Sequence, residues 1–569
     1  MKNMKNKQSY QVISANFRVS IPTFALLFLA PLAGFGVNLT WKGDTASGDF
    51  NDAAEWTPAQ APTSADSVFF TATVPSTVTF AANGASVATR FRSGTFVVET
   101  GANTWTNTGV FYVGDSTAVA NTTFNGGTYD NSGGGNIILG VSAGNDGNTL
   151  RFTNGATYTG AAAEIIGRAG ASNSLEILSG STFTAKGFNL GTLGGGNDNS
   201  LLVSGSGSTL NVSGVTALSI AASTTGNSLT VADGATANFN NAIATAARIR
   251  IGLGVNSDDT SATFTGAGTT VNTNADQIQL VNGGVLGNRL TVADGATLNA
   301  TSATISNGES SAGSGNNAFT VTGGTANVAD ITVAHQNNVT VSGGTLNISG
   351  EFLSTTGGSD ISFTGGTISA GSTAFALIDG FTVGDGSDAT IAIYHLNGGT
   401  HEVSGTGITL ASDGVLSGTG TVTVGNVTTS ASSVLSPGNS IGTLTIGTTL
   451  DTSAGAIFNI ELGAGFTSDL LDLGTWEATG AAADSLVFNF IDLGGAVEGT
   501  YTLATFDDGN GLELGQFAEG STLAGLSGSF ILNANSLEYS LIPEPLSAGV
   551  LGMSVLGMAL FARRRTRAT

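Results

Sequence analysis

The sequence predicts an all-β protein folded as a parallel β-helix, also called a β-solenoid. The chain has 569 residues, of which 84 are glycine, 40% are hydrophobic and only 10% are charged. This composition disfavours disorder and long helices. Apolar residues alternate with Thr, Ser and Asn in short runs, as in strands with one buried face. Similar short units recur along the chain, and none can bury its own apolar side, so we expect them to stack.

The commonest repeating unit opens with Asn and has an apolar residue two positions later. The leucines Leu150, Leu175, Leu201 and Leu229 lie 25, 26 and 28 residues apart, which suits one coil of three strands and three turns. We expect the Asn side chains to form amide ladders between coils. A set of antiparallel sandwiches is the second fold considered, but such folds usually repeat turns every 8–12 residues or so. The openings are Asn148-Thr-Leu150, Asn173-Ser-Leu175, Asn199-Ser-Leu201, Asn227-Ser-Leu229, Asn288-Arg-Leu290 and Asn317-Ala-Phe319.

A second form of the unit occurs twice in residues 321–350, where an apolar residue, a spacer and Gly-Gly-Thr are followed by another alternating run. We expect the glycine pairs Gly323-Gly324 and Gly343-Gly344 to adopt positive φ angles in tight turns. The flanking apolar residues should then point into a shared interior. These residues are Val321, Val328, Val341 and Ile348.

The charge of the chain limits its partners. The formal net charge is −23, but eight of the 17 basic residues lie in the two termini, and residues 37–542 retain nine basic and 39 acidic residues. A nucleic acid or an anionic membrane needs a basic surface, so neither is expected to bind the body of the protein. There is no cysteine, which excludes disulfides, thiolate metal sites and thiol catalysis. No cofactor is predicted.

The N-terminus has the pattern of a secretory signal peptide. Basic residues precede an apolar run at 21–33, and small residues follow at Gly34 and Gly36. We therefore assign residues 1–36 to a signal peptide cleaved near Gly36. A buried or uncleaved helix is the alternative. Residues 37–110 are assigned to an N-terminal β cap.

Two tryptophans characterise the predicted cap. Trp41 and Trp56 flank a loop rich in Gly and Asp, and Pro58 precedes a strand that begins near Ser67. This segment resembles the opening of bacterial surface proteins with autotransporter-associated strand repeats. Since a solenoid needs an atypical first unit to cover its open end, we interpret the tryptophans as part of a cap. Stacking on a sugar is the alternative role.

The remaining body is divided into a β-helix repeat region at 111–473 and a terminal β unit at 474–541 that covers the last coil. Residues 436–444, with Phe458-Asn-Ile-Glu-Leu462 and Ser468-Asp469, again resemble the strand repeats of autotransporter passengers and surface proteins. The terminal unit contains alternating segments such as 486–490 and 501–503.

The C-terminal tail, residues 542–569, has three parts. Pro543-Glu544-Pro545 is followed by 17 uncharged residues, 546–562, and then by Arg563, Arg564, Arg565 and Arg567. Seventeen uncharged, mostly apolar residues are near the lower limit for a single transmembrane helix, and the arginine cluster should remain on the cytoplasmic side. The tail resembles the PEP-CTERM sorting signal of bacterial surface proteins. A plain C-terminal membrane anchor is the alternative.

This resemblance implies that Pro543, Glu544 and Pro545 form a substrate motif read by an exosortase-type membrane enzyme. Such an enzyme processes the tail, so the protein would be anchored in the membrane only transiently before it reaches the cell surface or the exopolysaccharide matrix. Similar tails are also catalogued as ice-binding-protein C-terminal domains, which is not evidence of ice binding here. The first hypothesis is thus a non-enzymatic structural or adhesive protein, with extracellular polysaccharide as a candidate partner.

A secreted carbohydrate-active enzyme, either a polysaccharide lyase or a hydrolase, is the second hypothesis. It would need paired acids or a Ca²⁺ site, with a basic residue on a neighbouring coil. No Lys or Arg occurs at 291–562, and we assign no catalytic residue. The acids occur in Gly- and Ser-rich contexts typical of solvated turns. The candidates are Asp258-Asp259, Asp385 with Asp388, and Asp507-Asp508, together with Arg248 and Arg250 on an outer strand face.

Metal binding and a role as an ice- or carbohydrate-binding protein are the remaining alternatives. The histidines His335, His395 and His401 have no third ligand at a suitable spacing, so we expect exposed turn residues and assign no metal site. The acidic turn at 384–388 lacks the repeated Ca²⁺ pattern of nonapeptide solenoids. Ice recognition would require Thr-x-Thr triplets aligned on one flat face, and their irregular spacing argues against this alignment. Such triplets occur, among other places, at Thr71, Thr182, Thr263, Thr421 and Thr443.

Overall fold

The computed structural model shows a parallel β-solenoid, which confirms the predicted fold class. It describes residues 36–543 except 215–217, 222–223, 241–247, 253–256, 281–285, 309–314, 335, 356, 377, 379, 388, 522 and 524–525. Each coil contributes one strand to each of three sheets, which we call face 1, face 2 and face 3. Along the chain, a coil begins with its face 3 strand, continues with its face 1 strand and ends with its face 2 strand. In one coil these strands are Phe111–Val113, Ala120–Asn125 and Thr128–Asn131.

Strands of successive coils pair in parallel and in register. Leu150 pairs with Leu175, and Leu175 pairs with Leu201, so equivalent residues lie above one another. This parallel pairing excludes the alternative of antiparallel sandwiches for the described body.

The strands on single faces are as follows. Face 3 contains Asn38–Trp41, Ser67–Thr71, Phe111–Val113, Ile137–Leu139, Ala163–Ile166, Gly187–Leu190, Leu218–Ile220, Arg248–Ile251, Gln277–Gln279, Thr400–Val403 and Thr421–Val424. Face 1 contains Ser47–Asp49, Ser76–Thr79, Ala120–Asn125, Thr149–Thr153, Ser174–Leu178, Ser200–Ser204, Ser228–Ala232, Ser261–Thr265, Arg289–Ala293, Ala318–Thr322, Phe381–Val383, Ile408–Leu410 and Val427–Thr428. Face 2 contains Gly84–Ser86, Thr104–Asn107, Thr128–Asn131, Thr157–Gly160, Thr182–Ala185, Thr209–Val212, Thr236–Phe239, Thr270–Thr273, Ala392–Leu396, Gly414–Gly418, Val434–Pro437, Ala456–Leu462, Leu486–Asp492 and Phe517–Ser521.

Other strands bend round a corner and belong to two or three faces. The second Gly-Gly-Thr segment lies in one of them, so the tight turn predicted there is wrong: Gly343 and Gly344 have the predicted positive φ, of 143° and 75°, but the strand continues through them. The first glycine pair does separate two strands, Ala318–Thr322 and Thr325–Val333. Gly324 does not adopt a positive φ, whereas Gly323 does, at 78°. The corner strands are Ala88–Glu99, Thr297–Asn307, Thr325–Val333, Asn338–Ser354, Asp360–Phe375, Thr443–Asp451, Leu470–Glu477 and Gly499–Asn510.

The interior of the solenoid is one continuous apolar core. The four flanking residues predicted to face inward in 321–350 are at most 2% exposed. Aromatic residues stack between coils: the rings of Phe124 and Phe152 lie 4.9 Å apart, and those of Tyr158 and Phe183 lie 4.1 Å apart. Because neighbouring coils share this core, each coil is stabilised by the coils above and below it.

A buried ladder of asparagines confirms the predicted role of the Asn openings. Asn199 donates its backbone N–H and its side-chain Nδ2–H to Oδ1 of Asn227, at 3.0 and 3.1 Å. Its own Oδ1 accepts the same pair of bonds from Asn173, at 2.9 and 3.0 Å. These side chains are fully buried, so each amide makes the hydrogen bonds to the neighbouring coil that water cannot make there. Thr260 takes the position of Asn in one coil and donates its N–H to Asn288 Oδ1 at 2.9 Å.

A glycine at the end of face 3 makes room for each of several ladder asparagines. At Gly167, which has φ of 68°, an added Cβ would lie 2.0 Å from Nδ2 of Asn199. At Gly252, with φ of 80°, it would lie 2.4 Å from Nδ2 of Asn288. The repeated Gly in the return segment is therefore required by both the backbone conformation and the buried amide.

The N-terminal end of the core is covered by aromatic residues. Trp41 and Trp56 are 1% and 0% exposed, and their rings meet edge to face at 5.2 Å. The antiparallel strand Trp56–Thr57, which follows the 3-10 helix Ala53–Glu55, brings Trp56 over the first coil. Their burial supports the predicted cap and rules out the alternative role of these two rings as exposed sugar-stacking platforms.

The C-terminal end is closed by an antiparallel hairpin. Parallel coils continue past residue 473 as far as Phe517–Ser521, which pairs with Leu486–Asp492. The hairpin strands Leu526–Leu532 and Ser536–Pro543 then follow, and the second pairs antiparallel with Gly499–Asn510. The described chain also has the 3-10 helices Ala464–Phe466 and Leu514–Gln516.

The predicted signal peptide, apart from Gly36, and the tail after Pro543 lie outside the described residues. These include Glu544, Pro545, the predicted helix 546–562 and the arginine cluster. Pro543 itself is the last residue of the final strand. Within the described ranges, no helix is long and apolar enough to cross a membrane.

The Asn ladder predicts a large difference between two otherwise similar substitutions. Asn199→Ala should lower the free energy of unfolding by about 2–4 kcal/mol, because it leaves buried groups of Asn173 and Asn227 without partners. Asn238→Ala, in a half-exposed ladder on face 2, should lower it by less than about 1 kcal/mol, since water can replace the lost bonds. Urea unfolding followed by circular dichroism measures both. Equal losses would contradict the role given to the buried ladder.

Candidate functional site

The candidate catalytic acids are distributed over separate parts of the solenoid. Asp258 lies in a turn and accepts the N–H of Leu286 at 2.8 Å, and Asp259 is exposed with φ of 52°. Asp507 and Asp508 are exposed residues of the strand Gly499–Asn510. Each pair belongs to a different coil, so the pairs do not form a common site.

Asp385 also belongs to a turn, on face 1, and Asp388 lies outside the described residues. Asp385 accepts the N–H of Ser387 at 2.8 Å, and hydrogen bonds from the backbone and the side chain of Ser387 lower the pKa of the Asp385 carboxyl. The neighbouring Asp413 accepts the N–H groups of Asp385 and Gly386 at 3.2 and 2.8 Å. Both carboxylates therefore stabilise turn backbone. No group of three His, Asp or Glu that could hold a metal ion occurs in the part of the chain that the structure describes.

Two arginines form ion pairs between coils, and a third lies half-buried on face 3. Arg250 lies in the strand Arg248–Ile251 on face 3, where its side chain is half-buried; the side chain of Arg248 is outside the described set. Arg90 forms an ion pair with Asp115 at 2.8 Å and lies 4.4 Å from the ring centre of Tyr112. Arg151 pairs with Glu176 of the next coil at 2.6 Å. These pairs join neighbouring coils.

The expectation that the histidines are exposed turn residues is wrong for the two that are described. His401 is fully buried in a strand of face 3. Its Nε2 contacts the carbonyl oxygen of Gly398 at 2.8 Å, and its Nδ1 lies 3.2 Å from both Tyr394 OH and Thr373 Oγ1. Since a carbonyl only accepts, Nε2 carries a proton and Nδ1 can accept one of the hydroxyls. Burial lowers the pKa of His401, which favours this neutral form.

The other described histidine, His395, lies on face 2 and is half-buried. Its Nδ1 is 3.0 Å from Ser417 Oγ of the next coil, and burial lowers the pKa of its imidazole. His335 lies outside the described residues. His395 and His401 thus lie on different faces, and each forms hydrogen bonds with its own neighbours.

A buried acid was missed in the sequence. Glu164 is fully buried and accepts Tyr158 OH at 2.7 Å on Oε1 and the N–H of Ile137 on Oε2. Tyr158 OH in turn accepts Nδ2 of Asn131 at 3.3 Å. Burial raises the pKa of Glu164 to about 8. The signal was present, because strand alternation places Glu164 on the same side as Ile166, which faces the core.

The most regular exposed feature is a column of threonines on face 2. Residues that pair from coil to coil at the first outward position are Thr in eleven successive strands. All are half-exposed. In the next coil the position is Ile393. The column consists of Thr104, Thr128, Thr157, Thr182, Thr209, Thr236, Thr270, Thr297, Thr325, Thr345 and Thr367.

The named Thr-x-Thr triplets lie on different faces, Thr182 on face 2, Thr263 on face 1 and the others on face 3, as their irregular spacing suggested. Single threonines nevertheless align in this column although the coils differ in length. Longer coils place their additional residues at the corners, so the strands of coils of different length still stack in register.

A second column lies two residues further along each face 2 strand. Its central part is a ladder of half-exposed asparagines in which Nδ2 of each residue donates to Oδ1 of the preceding one, at 2.8–3.0 Å. The column then continues through Ser369, His395, Ser417 and Ser436. The ladder consists of Asn211, Asn238, Asn272, Asn299, Asn327 and Asn347. We call the two columns together the Thr/Asn surface.

Two shallow grooves lie along the second column. The first has a volume of about 290 Å³, and its lining includes Asn327, Asn347 and Ser369. Thr301 and Asn397 also line it; both are exposed and belong to coils on opposite sides of those three. The second groove, of about 460 Å³, is lined by a set that includes His395, Ser417, Ser436 and Glu461. The second column of the Thr/Asn surface thus borders two concave regions.

Comparisons with known proteins do not identify this chain. No family model matches it, and neither does any curated protein. Among solved structures, the crystal structure of the Haemophilus influenzae Hap adhesin is similar, with 12% sequence identity and a TM-score of 0.27. The match covers 85% of this chain and 65% of that chain, which is less than two thirds of its length. Because the TM-score is low, the fold described above rests on the strand pairings.

The buried carboxyl of Glu164 predicts a specific pH dependence of stability. A carboxyl with an ordinary pKa of 4.5 and a folded pKa of about 8 binds its proton more tightly in the folded state. Its contribution is therefore complete below about pH 4.5 and is lost as the pH rises to about 8, with a slope of up to about 1.4 kcal/mol per pH unit.

Glu164→Gln keeps the shape of the side chain and removes the titration. Between pH 5 and pH 8.5, the wild-type protein should lose stability relative to this variant by more than about 1 kcal/mol in urea unfolding. Asp469, whose pKa burial raises to about 6, is present in both proteins, so its effect cancels in the difference. A constant difference across this range would show that Glu164 does not titrate there.

Proposed function

We propose that this chain is an exported, non-enzymatic β-solenoid that serves as a structural or adhesive component of the bacterial cell surface or exopolysaccharide matrix. The observation that carries the proposal is the stack of parallel coils in the described residues, covered at both ends, whose last described strand ends at the first residue of the Pro-Glu-Pro motif. At about 4.8 Å per coil, such a stack is on the order of 80 Å long. A tail attached at one end would hold the other end away from the membrane.

Delivery would depend on the tail. In this proposal, an exosortase-type enzyme reads Pro543, Glu544 and Pro545 and processes the tail after the segment 546–562 has inserted as a transmembrane helix. The cluster Arg563, Arg564, Arg565 and Arg567 would hold the cytoplasmic end of that helix. The resemblance of the sequence to PEP-CTERM signals supports this route, together with the predicted signal peptide.

The enzyme hypothesis has less support. A polysaccharide lyase or hydrolase needs acids and a base gathered in one groove. The candidate acid pairs lie on separate coils, and Asp258, Asp385 and Asp413 are engaged with turn backbone. Repeated, outward hydrogen-bonding columns instead suit a protein that makes many weak contacts.

Cell fractionation tests the sorting proposal. In a host that contains an exosortase-type enzyme, the wild-type chain should be shortened and recovered at the surface or in the medium. The triple variant Pro543→Ala, Glu544→Ala and Pro545→Ala should remain full-length in the membrane fraction, because the enzyme no longer recognises it. Immunoblots of each fraction provide the measurement.

Ser547→Ala, just beyond the motif, is the matched control and should be processed like the wild type. If the triple variant is shortened and delivered normally, the tail is not read through these residues and the sorting proposal is wrong.

A further inference from the structure

We infer that the Thr/Asn surface binds a neutral polysaccharide whose chain runs along the solenoid axis. This inference rests on the proposed function, for which it names the binding surface and the chemical class of the partner. It starts from a feature of the outside of the molecule that the packing of the core does not require, since both columns face away from the interior.

The spacing of the surface suits a linear polymer. Neighbouring coils lie about 4.8 Å apart, and residues two apart along a strand are separated by roughly 6.6 Å. The Thr column spans eleven coils, and the Asn ladder adds a second hydrogen-bonding group in six of them, from Asn211 to Asn347. A polymer laid along these columns meets the same pair of groups in each of those six coils and a Thr hydroxyl in the other five, so many weak contacts add to a usable affinity.

The surface offers both donors and acceptors, as sugar hydroxyls require. Each Thr hydroxyl has one donor and two acceptor positions. Within the ladder, an amide such as Asn299 uses one N–H toward Asn272 and one lone pair toward Asn327. The ladder leaves the second N–H and the second lone pair of such an amide unused, so these groups can bind a ligand. The ladder fixes the amide orientation, which lowers the entropy lost on binding.

Charge favours a neutral partner over an anionic one. The Thr and Asn residues of both columns from Thr209 to Thr367 carry no charge, whereas the body between residues 37 and 542 has 39 acidic and nine basic residues. A polyanion would be repelled by this field and would find no basic group in the columns. A neutral glycan avoids this repulsion, and its binding between Thr209 and Thr367 desolvates no ionised group of the columns.

The shape of the surface favours a polymer strand over a crystal plane such as ice. The Asn column forms part of the lining of the groove of about 290 Å³, where Asn327, Asn347 and Ser369 lie between the coils of Thr301 and Asn397. A flexible chain can follow such a depression. A planar lattice would need side chains of one height, and this surface combines short Thr with longer Asn side chains beside a concave region.

Two sets of four substitutions test the inference in the full-length protein. The face 2 variant carries Thr297→Val, Thr325→Val, Thr345→Val and Thr367→Val, which remove hydroxyls but keep shape and strand propensity. The matched control changes four aligned, half-exposed threonines of face 1. These substitutions are Thr263→Val, Thr291→Val, Thr320→Val and Thr340→Val.

Affinity electrophoresis in gels that contain hydroxyethyl cellulose, dextran or polygalacturonate measures binding. The wild type should be retarded by at least one of the two neutral glucans and not by polygalacturonate. The face 2 variant should bind that glucan at least about tenfold more weakly, since several hydrogen bonds are lost together. The face 1 control should bind like the wild type, and circular dichroism should show all three proteins folded.

Several results would overturn the inference. These are no retardation of the wild type by either neutral glucan, a preference for polygalacturonate, or equal weakening in the two variants. Inhibition of ice recrystallisation by the wild type, lost in the face 2 variant alone, would assign this surface to ice. Each outcome is separate from the fractionation experiment, because sorting through Pro543, Glu544 and Pro545 is measured without any glycan.

Discussion

The whole structure depends on parallel, in-register stacking of one coil on the next. A single coil cannot pair its own backbone groups or cover its own apolar side chains, so both requirements are met by its neighbours. The buried amides strengthen this dependence. Asn173, Asn199 and Asn227 each occupy the same place in successive coils, and each satisfies backbone and side-chain groups that water cannot reach. Loss of register would therefore leave both apolar and polar groups unsatisfied.

The same register determines the outer surface. Once Leu201 stacks on Leu175 inside the core, the outward neighbours must also align, and residues of one type form columns. This arrangement limits how many charged residues an outward column can contain, because like charges directly opposite each other on neighbouring strands repel. Neutral Thr and Asn can repeat without that repulsion, and Asn can even bind its own copy in the next coil. A solenoid of this kind is thus suited to repetitive contacts with an extended partner.

Sequence reasoning was most successful where the signal was periodic. Alternation identified the inward residues, and the recurring Asn openings predicted the buried ladder. It was less successful where one residue departs from the pattern. Glu164 follows the inward alternation but is charged in its usual state, and His401 was expected in a turn although it lies buried beside Tyr394. In both cases one partner comes from a neighbouring coil, Ile137 for Glu164 and Thr373 for His401, which sequence neighbours do not reveal.

The sequence by itself determined the all-β class, the coil as the repeating unit, the inward positions and the ladder of Asn side chains. These depend on local alternation and on recurrence along one chain. Only the tertiary structure decided which outward residues meet, including the eleven aligned threonines of face 2. The reason is that coils differ in length at their corners, so spacing along the chain does not give register. Register is determined between coils, by backbone hydrogen bonds and the stacking of buried side chains.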